Sequence, residues 1–156
     1  MAGTTIYITI ETANGPIKGG STRKTNPNAI LCSYYSYEAD VELHTSGSGG
    51  GASAGKAHRT PVTIHKVIDN SSPRLMRALL TGEALKTVTI ELHNGTKTFF
   101  TVTLEHATIT SIQHSVPEAH ETPDAIEELE FVFQKISFKS ANGTTVTDDT
   151  VTNKTT

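Results

Sequence analysis

The chain has 156 residues, which is enough for one domain with a sizeable hydrophobic core. Charged residues make up 19% of it and nearly balance, for a formal net charge of -3. This composition argues against a nucleic-acid-binding protein, which would normally carry a basic stripe. Trp is absent and 26 residues are Thr, so stiff, β-branched side chains favour strands over helices.

The N-terminal segment, Met1 to Ile10, has no basic region and no long apolar run, and no later stretch is long enough to span a bilayer. We therefore expect a protein made in the cytoplasm that does not insert into a membrane and that, if exported, leaves without a cleaved signal peptide. Cys32 is the only cysteine, so no disulfide can form within the chain, and we expect its thiol to be buried and inert.

Alternation of apolar and polar residues predicts strands along most of the chain. Ile6, Ile8 and Ile10 form the first apolar face. The stretch 30–43 is one bent strand or two short ones, with Tyr35 and Tyr37 on one face. Leu31 and Ser33 are expected on that same face, and Cys32, Tyr34 and Ser36 on the other. Further strands are predicted near residues 62–67, 87–92, 100–104, 107–114 and 128–138.

One helix is predicted over residues 72–82. Ser72 is the expected N-cap, Pro73 suits the first helical position, and Gly82 suits the left-handed residue after the last turn. One apolar stripe should pack on the sheet; it consists of Leu75, Met76, Leu79 and Leu80.

Two segments lack the alternation of apolar and polar residues that predicts a strand. Residues 44–60 include a glycine-rich run, whose backbone entropy favours a long flexible loop. We expect a β domain of residues 1–140. Residues 141–156 after it have few apolar side chains to bury, so we expect an extended or disordered tail, or an arm that orders on a partner. About eight short strands with one inserted helix indicate a mainly β protein, a sandwich or a barrel whose face or mouth the helix covers.

Residues that carry chemistry do not form a recognisable catalytic or metal-binding motif. The seven histidines show no His-x-His or His-x-x-x-His spacing. Gly50 to Lys56 resembles a phosphate-binding loop, but Ala57 stands where a hydroxyl should follow and strand-forming residues come next. The acidic run of Glu118, Glu121, Asp124, Glu127, Glu128 and Glu130 is expected to be a solvated loop rim. We therefore predict a protein that is not an enzyme and needs no cofactor or metal.

Several segments, in order, resemble the haemolysin co-regulated protein (Hcp) family of type VI secretion systems. Ile17-Lys-Gly-Gly-Ser21 is similar to that family's V-K-G-E-S turn, and Tyr35-Ser-Tyr37 to its aromatic-Ser-aromatic triplet. Ala54-Gly-Lys56 is similar to its A-G-K. The most specific match is Lys66-Val-Ile-Asp-Asn-Ser-Ser-Pro-Arg-Leu-Met76, which resembles K-x-x-D-x-x-S/T-P-x-L-M. Thr103 to Ile112 resembles the family's T-L-x-x-V-x-I-S-S-V strand.

This resemblance implies a compact β-barrel of two antiparallel sheets with a short helix at its side. It implies a structural subunit that forms six-membered rings, which stack into a tube inside a contractile sheath and carry effectors through the lumen for export. Implied partners are further copies of the chain, the spike, sheath and baseplate proteins, and secreted effectors. A phage-type tail-tube protein and a small-ligand-binding β-sandwich are the alternatives.

The resemblance also suggests where function resides. Ser36 points away from Tyr35 and Tyr37, so we expect it to face the lumen if those tyrosines are in the core. The loop over residues 44–60 is the candidate for reaching a neighbouring subunit or ring, through Ser46, Gly50, Gly51, Gly55 and Lys56.

Overall fold

The computed structural model describes residues 3–24, 26–44, 53–118 and 125–156. In these ranges the chain forms twelve strands and one helix. The strands are β1 (Thr4–Thr12), β2 (Gly15–Ile17), β3 (Ile30–Ser36), β4 (Ala39–His44), β5 (Ser53–Arg59), β6 (Val62–Val67), β7 (Leu85–Asn94), β8 (Lys97–Ser115), β9 (Ile126–Val132), β10 (Lys135–Ser140), β11 (Thr145–Asp149) and β12 (Lys154–Thr155). The helix, α1, is Ser72–Thr81.

The main sheet closes on itself as a six-stranded antiparallel barrel, in the order β8-β7-β1-β3-β6-β9, because β9 also pairs with β8. The interior is filled by the alternating aliphatic residues that the sequence pattern identified, with Phe131 as its largest apolar side chain. The predicted mainly β barrel with one short helix is confirmed, and the second sheet is the isolated pair β4-β5.

Strand β8 is one 19-residue strand where two were predicted. Its first half pairs with β10 and its second half with β9. His106, near the middle, has a positive φ of 52°, and such a left-handed residue bends a strand locally. One long strand can therefore serve both the barrel and the added strands beyond it.

A bulge in β3 makes part of the predicted face assignment wrong. The register with β6 shifts between Cys32 and Tyr34, so Cys32 lies in the core while Leu31 is 55% exposed. Tyr35 packs against the core. An extra residue in one strand reverses the alternation that follows it.

The helix ends as predicted but begins differently. Gly82 has φ 64° and its N–H reaches back to carbonyls of the last turn. Ser71, not Ser72, is the N-cap residue, and it makes no side-chain cap bond. The stripe is also different, because Leu75 and Ala78 are buried whereas Leu80 is 77% exposed.

Both segments predicted to lack regular structure contain strands. β5 lies within the range 44–60 and pairs with β4, and β11 and β12 lie within residues 141–156 and continue the main sheet from β10. The guanidinium of Arg59 makes a bidentate ion pair with Asp148, which joins β5 to β11. Strand pairing and one half-buried ion pair therefore order sequences that have little apolar surface of their own.

Candidate functional site

Six polar side chains form an ionic network where α1 begins, around two fully buried charges. Lys66 on β6 and Glu127 on β9 are fully buried, and their charged atoms, Nζ and Oε1, are 2.7 Å apart. Lys66 Nζ also donates to Asp69 Oδ1 at 3.0 Å and lies 3.2 Å from Ser72 Oγ. Asp69 and Ser72 are the polar residues of the Lys66-to-Met76 motif, so the motif's spacing builds this network.

Each carboxylate of the ionic network has several donors. Ser72 Oγ donates to Glu127 Oε1 at 3.1 Å, and His114 Nε2 lies 2.6 Å from Glu127 Oε2. Burial would raise the pKa of Asp69, but hydrogen bonds from Ser71 and Lys66 more than offset this and lower that pKa. A buried carboxylate and a buried ammonium that are paired and hydrogen-bonded hold their positions strictly, so the ionic network fixes the start of α1 against β6 and β9.

Sequence reasoning missed the two central members of this network. Lys66 fell on the apolar face of its strand, and Glu127 was placed in a solvated acidic rim, which is wrong. The informative signal was the alternation of faces along a strand. Lys66 lies two and four residues from the buried Ile64 and Val62, and Glu127 lies two and four residues from the buried Leu129 and Phe131, so each charge shares a face with core residues. A charge on a core face predicts a partner of opposite sign.

Ser36 lies on the outward face of the barrel wall, pairing with Thr63 of β6. Thr63 also pairs with Glu130 of β9, and Glu130 pairs with Ser111 of β8, so these four residues form one row across the wall. A second outward row consists of Tyr34, His65, Glu128 and Gln113. We call these two rows the polar wall.

The polar wall is tied together by side-chain contacts. Tyr34 stacks on His65 with ring centroids 4.3 Å apart, and His65 Nε2 lies 3.4 Å from Glu128 Oε2. The wall spans four strands and presents hydroxyls, an amide and two carboxylates, which suits a surface that stays hydrated.

Residues expected to make an inter-subunit contact fall into two groups. Gly55 and Lys56 lie in β5, at the point where its register with β4 shifts. Ser46, Gly50 and Gly51 lie outside the described residues. β4 and β5 together form a hairpin, which we call the arm.

The remaining candidate groups are structural. Burial raises the pKa of the Cys32 thiol to about 12, so it is a poor nucleophile at neutral pH.

Across residues 3–24, 26–44, 53–118 and 125–156, no group of three His, Cys, Asp or Glu side chains is placed to hold a metal ion. The helix that the structure describes is too short to cross a membrane. His93 is buried: it is 2% exposed, packs edge-on against Tyr7, and its Nε2 lies 3.1 Å from Thr98 Oγ1.

The closed barrel and the polar wall on its outside define a class: a small antiparallel β-barrel whose distinctive chemistry lies in its surfaces. The chain matches the family model described as "Type VI secretion system effector, Hcp" over residues 7–139. It belongs to the Hcp family, as the sequence motifs indicated.

Known relatives are similar in sequence and fold. The "Major exported protein" of Pseudomonas aeruginosa is 32% identical over 109 residues, which cover 64% of this chain and 63% of that relative. The crystal structure of Hcp1 from Salmonella typhimurium superposes with a TM-score of 0.81 at 19% identity and covers 100% of both chains. A chain of the sheath–tube complex of an extracellular contractile injection system superposes with a TM-score of 0.61 at 16% identity, covering 87% of this chain and 88% of that one.

Proposed function

We propose that this protein is the structural subunit of a type VI secretion tube: six copies form a ring, rings stack inside a contractile sheath, and effectors travel through the lumen. Family membership supports this function, and a similar fold occurs in a sheath–tube complex. The observation that carries it is the polar wall, a continuous polar surface on the outside of four barrel strands. Six such walls facing one axis would line a wet channel.

In this proposal the chain acts by assembly and not by catalysis. It is made in the bacterial cytoplasm and exported, as the name of its Pseudomonas aeruginosa relative indicates for that protein. Its partners are other copies of itself, the spike, sheath and baseplate proteins, and the effectors that it carries.

The first test is the native mass of the purified full-length protein by light scattering, followed by electron microscopy of the same sample. A mass near that of about six chains, with ring-shaped particles, supports a closed heterologous assembly. A strict monomer at high concentration, without rings, contradicts the proposal and favours a small-ligand-binding barrel.

Ser36 is the proposed lumen contact for effectors. Replacing Ser36 by Gln leaves the core untouched, because Ser36 points away from the core-packed rings of Tyr35 and Tyr37. We expect S36Q to form rings normally and to retain less effector in co-purification. The matched control is T145Q, a similar change at an exposed residue of β11. If S36Q retains as much effector as T145Q, Ser36 is not a lumen contact for effectors.

A further inference from the structure

The polar wall carries charge of one sign. The strand segments that form it are residues 30–36, 62–67, 107–115 and 126–132. They contain no arginine and a single lysine, Lys66. The side chain of Lys66 is fully buried and paired with Glu127, so it belongs to the core and not to the wall. The carboxylates of Glu128 and Glu130 therefore face outward without a lysine or arginine from these strands to balance them.

Both carboxylates are open to a partner. The side chain of Glu128 is 41% exposed, and its ion-pair neighbour among the described residues is His65, whose Nε2 lies 3.4 Å from Glu128 Oε2. Glu130 is half-buried, and its carboxylate makes no ion pair within the part of the chain that the structure describes. The two residues are neighbours on one face of β9, about 7 Å apart along the strand.

An exposed aromatic ring lies beside the carboxylates. Tyr34 stacks on His65 with ring centroids 4.3 Å apart, and it is nevertheless 45% exposed. Part of its ring is therefore open to a group from another molecule. A guanidinium stacks on such a ring more readily than an ammonium does. The polar wall thus combines carboxylates and an open aromatic ring, and both accept the side chain of arginine.

Assembly would repeat these features around one axis. In the proposed ring, each copy adds the same two carboxylates and the same tyrosine to the channel. A passage lined by charge of one sign focuses the electric field and concentrates molecules of the opposite sign. The same field repels the phosphates of nucleic acid and the acidic faces of proteins.

We propose that the lumen selects effectors with a basic surface, whose lysine and arginine side chains pair with Glu128 and Glu130 and whose arginines also stack on Tyr34. This inference rests on the proposed tube function and names the chemical class of the cargo. Ser36 lies in the same row as Glu130, so the proposed effector contact at Ser36 has a carboxylate in its own row.

Peptide binding tests the selection. The probes are three peptides with a neutral fluorophore, identical except that they carry Arg, Lys or Glu at the same positions between Gly and Ser residues. Binding to the ring-forming parent protein is followed by fluorescence anisotropy at low salt, where charge is screened least. We expect the Arg peptide to bind at least about 10-fold more tightly than the Glu peptide, with the Lys peptide between them.

Variants locate the binding on the polar wall. E128Q/E130Q should weaken binding of the Arg peptide at least about 5-fold, and E128K/E130K should bind the Glu peptide in preference to the Arg peptide. Y34A should weaken binding of the Arg peptide more than binding of the Lys peptide. Electron microscopy checks that each variant forms rings, and the single variants E128Q and E130Q serve if the double variant does not assemble.

The matched control is E11Q/E105Q, which removes the same number of carboxylates from another face of the barrel. Glu11 of β1 and Glu105 of β8 both pair with Thr87 of β7, a strand that is not part of the polar wall. This variant should bind the Arg peptide within about 2-fold of the parent. An equal loss in E11Q/E105Q and E128Q/E130Q would show that net charge attracts the peptide, and it would overturn selection by the wall.

The remaining outcomes separate the cargo selection from the tube function. Equal affinities for the Arg and Glu peptides in a parent protein that forms rings overturn the selection and leave the tube function standing. Unchanged Arg-peptide binding by ring-forming E128Q/E130Q does the same. If the parent protein forms no rings, the tube function fails and the cargo selection fails with it.

Discussion

Lys66 Nζ and Glu127 Oε1 lie 2.7 Å apart, with both side chains completely buried. The two residues are 61 positions apart in sequence, and their pairing joins β6 to β9. Because the same ammonium also binds Asp69 and lies next to Ser72, the pair fixes the helix to the barrel wall as well.

Removing one partner of this pair should strongly destabilise the fold. K66M leaves the Glu127 carboxylate buried without its cation, and we expect a loss of about 3–5 kcal/mol in the free energy of unfolding. K66M/E127L removes both charges and should recover a large part of that loss. Urea denaturation of the parent protein and the two variants, followed by circular dichroism, measures both effects.

The control is the looser ion pair between Lys135 and Asp149, whose atoms Nζ and Oδ2 are 3.9 Å apart and whose lysine is 42% exposed. K135M should cost less than about 1 kcal/mol, as is usual for exposed pairs. If K66M and K135M cost the same, burial does not control the strength of the Lys66 pair.

Local sequence patterns determined more of the fold than of the surfaces. Most strands, the helix end at Gly82 and the family motif could be predicted, because each depends on neighbouring residues, whereas closure of the sheet into a barrel was implied only by the family resemblance. The bulge at Ser33 could not, since a single extra residue leaves no compositional signal and reverses the faces of Leu31 and Cys32. The Arg59–Asp148 pair likewise joins segments 89 residues apart, so neither segment alone predicted its strand.

Asp148 should make the fold sensitive to acid. Its hydrogen bond with Arg59 lowers the pKa of the Asp148 carboxyl, so this contribution to stability is present above the unfolded pKa of about 4 and is lost as the pH falls through the lower folded value. D148N should cost about 1–2 kcal/mol at pH 7, and the difference from the parent should shrink at pH 3.

Unfolding by urea at both pH values measures this difference. D40N is the control, because Asp40 belongs to an exposed pair with His58 and should change stability little at either pH. A D148N deficit that stays constant down to pH 3 would show that the charge of Asp148 is not what stabilises β11.

The single thiol should report on global unfolding. Burial raises the pKa of Cys32 to about 12 and leaves it 7% exposed, so a thiol reagent at pH 8 should label native protein at least about 1,000-fold more slowly than the unfolded chain. L31C in a C32A background is the neighbouring control and should label quickly. Fast labelling of Cys32 itself would mean that β3 opens locally.

Two adjacent glycines should differ sharply in their tolerance of a side chain. A Cβ at Gly19 would lie 2.6 Å from Ala29 O and 2.7 Å from Ile30 Cα, whereas a Cβ at Gly20 would meet nothing within 4 Å. These two nearest obstacles at Gly19 are backbone atoms, so they cannot rotate away, and G19A should cost about 1–3 kcal/mol. G20A should change the free energy of unfolding by less than about 0.5 kcal/mol. Equal urea midpoints for the two variants would show that the backbone at Gly19 can shift away from β3, so that this close approach does not hold the segment in place.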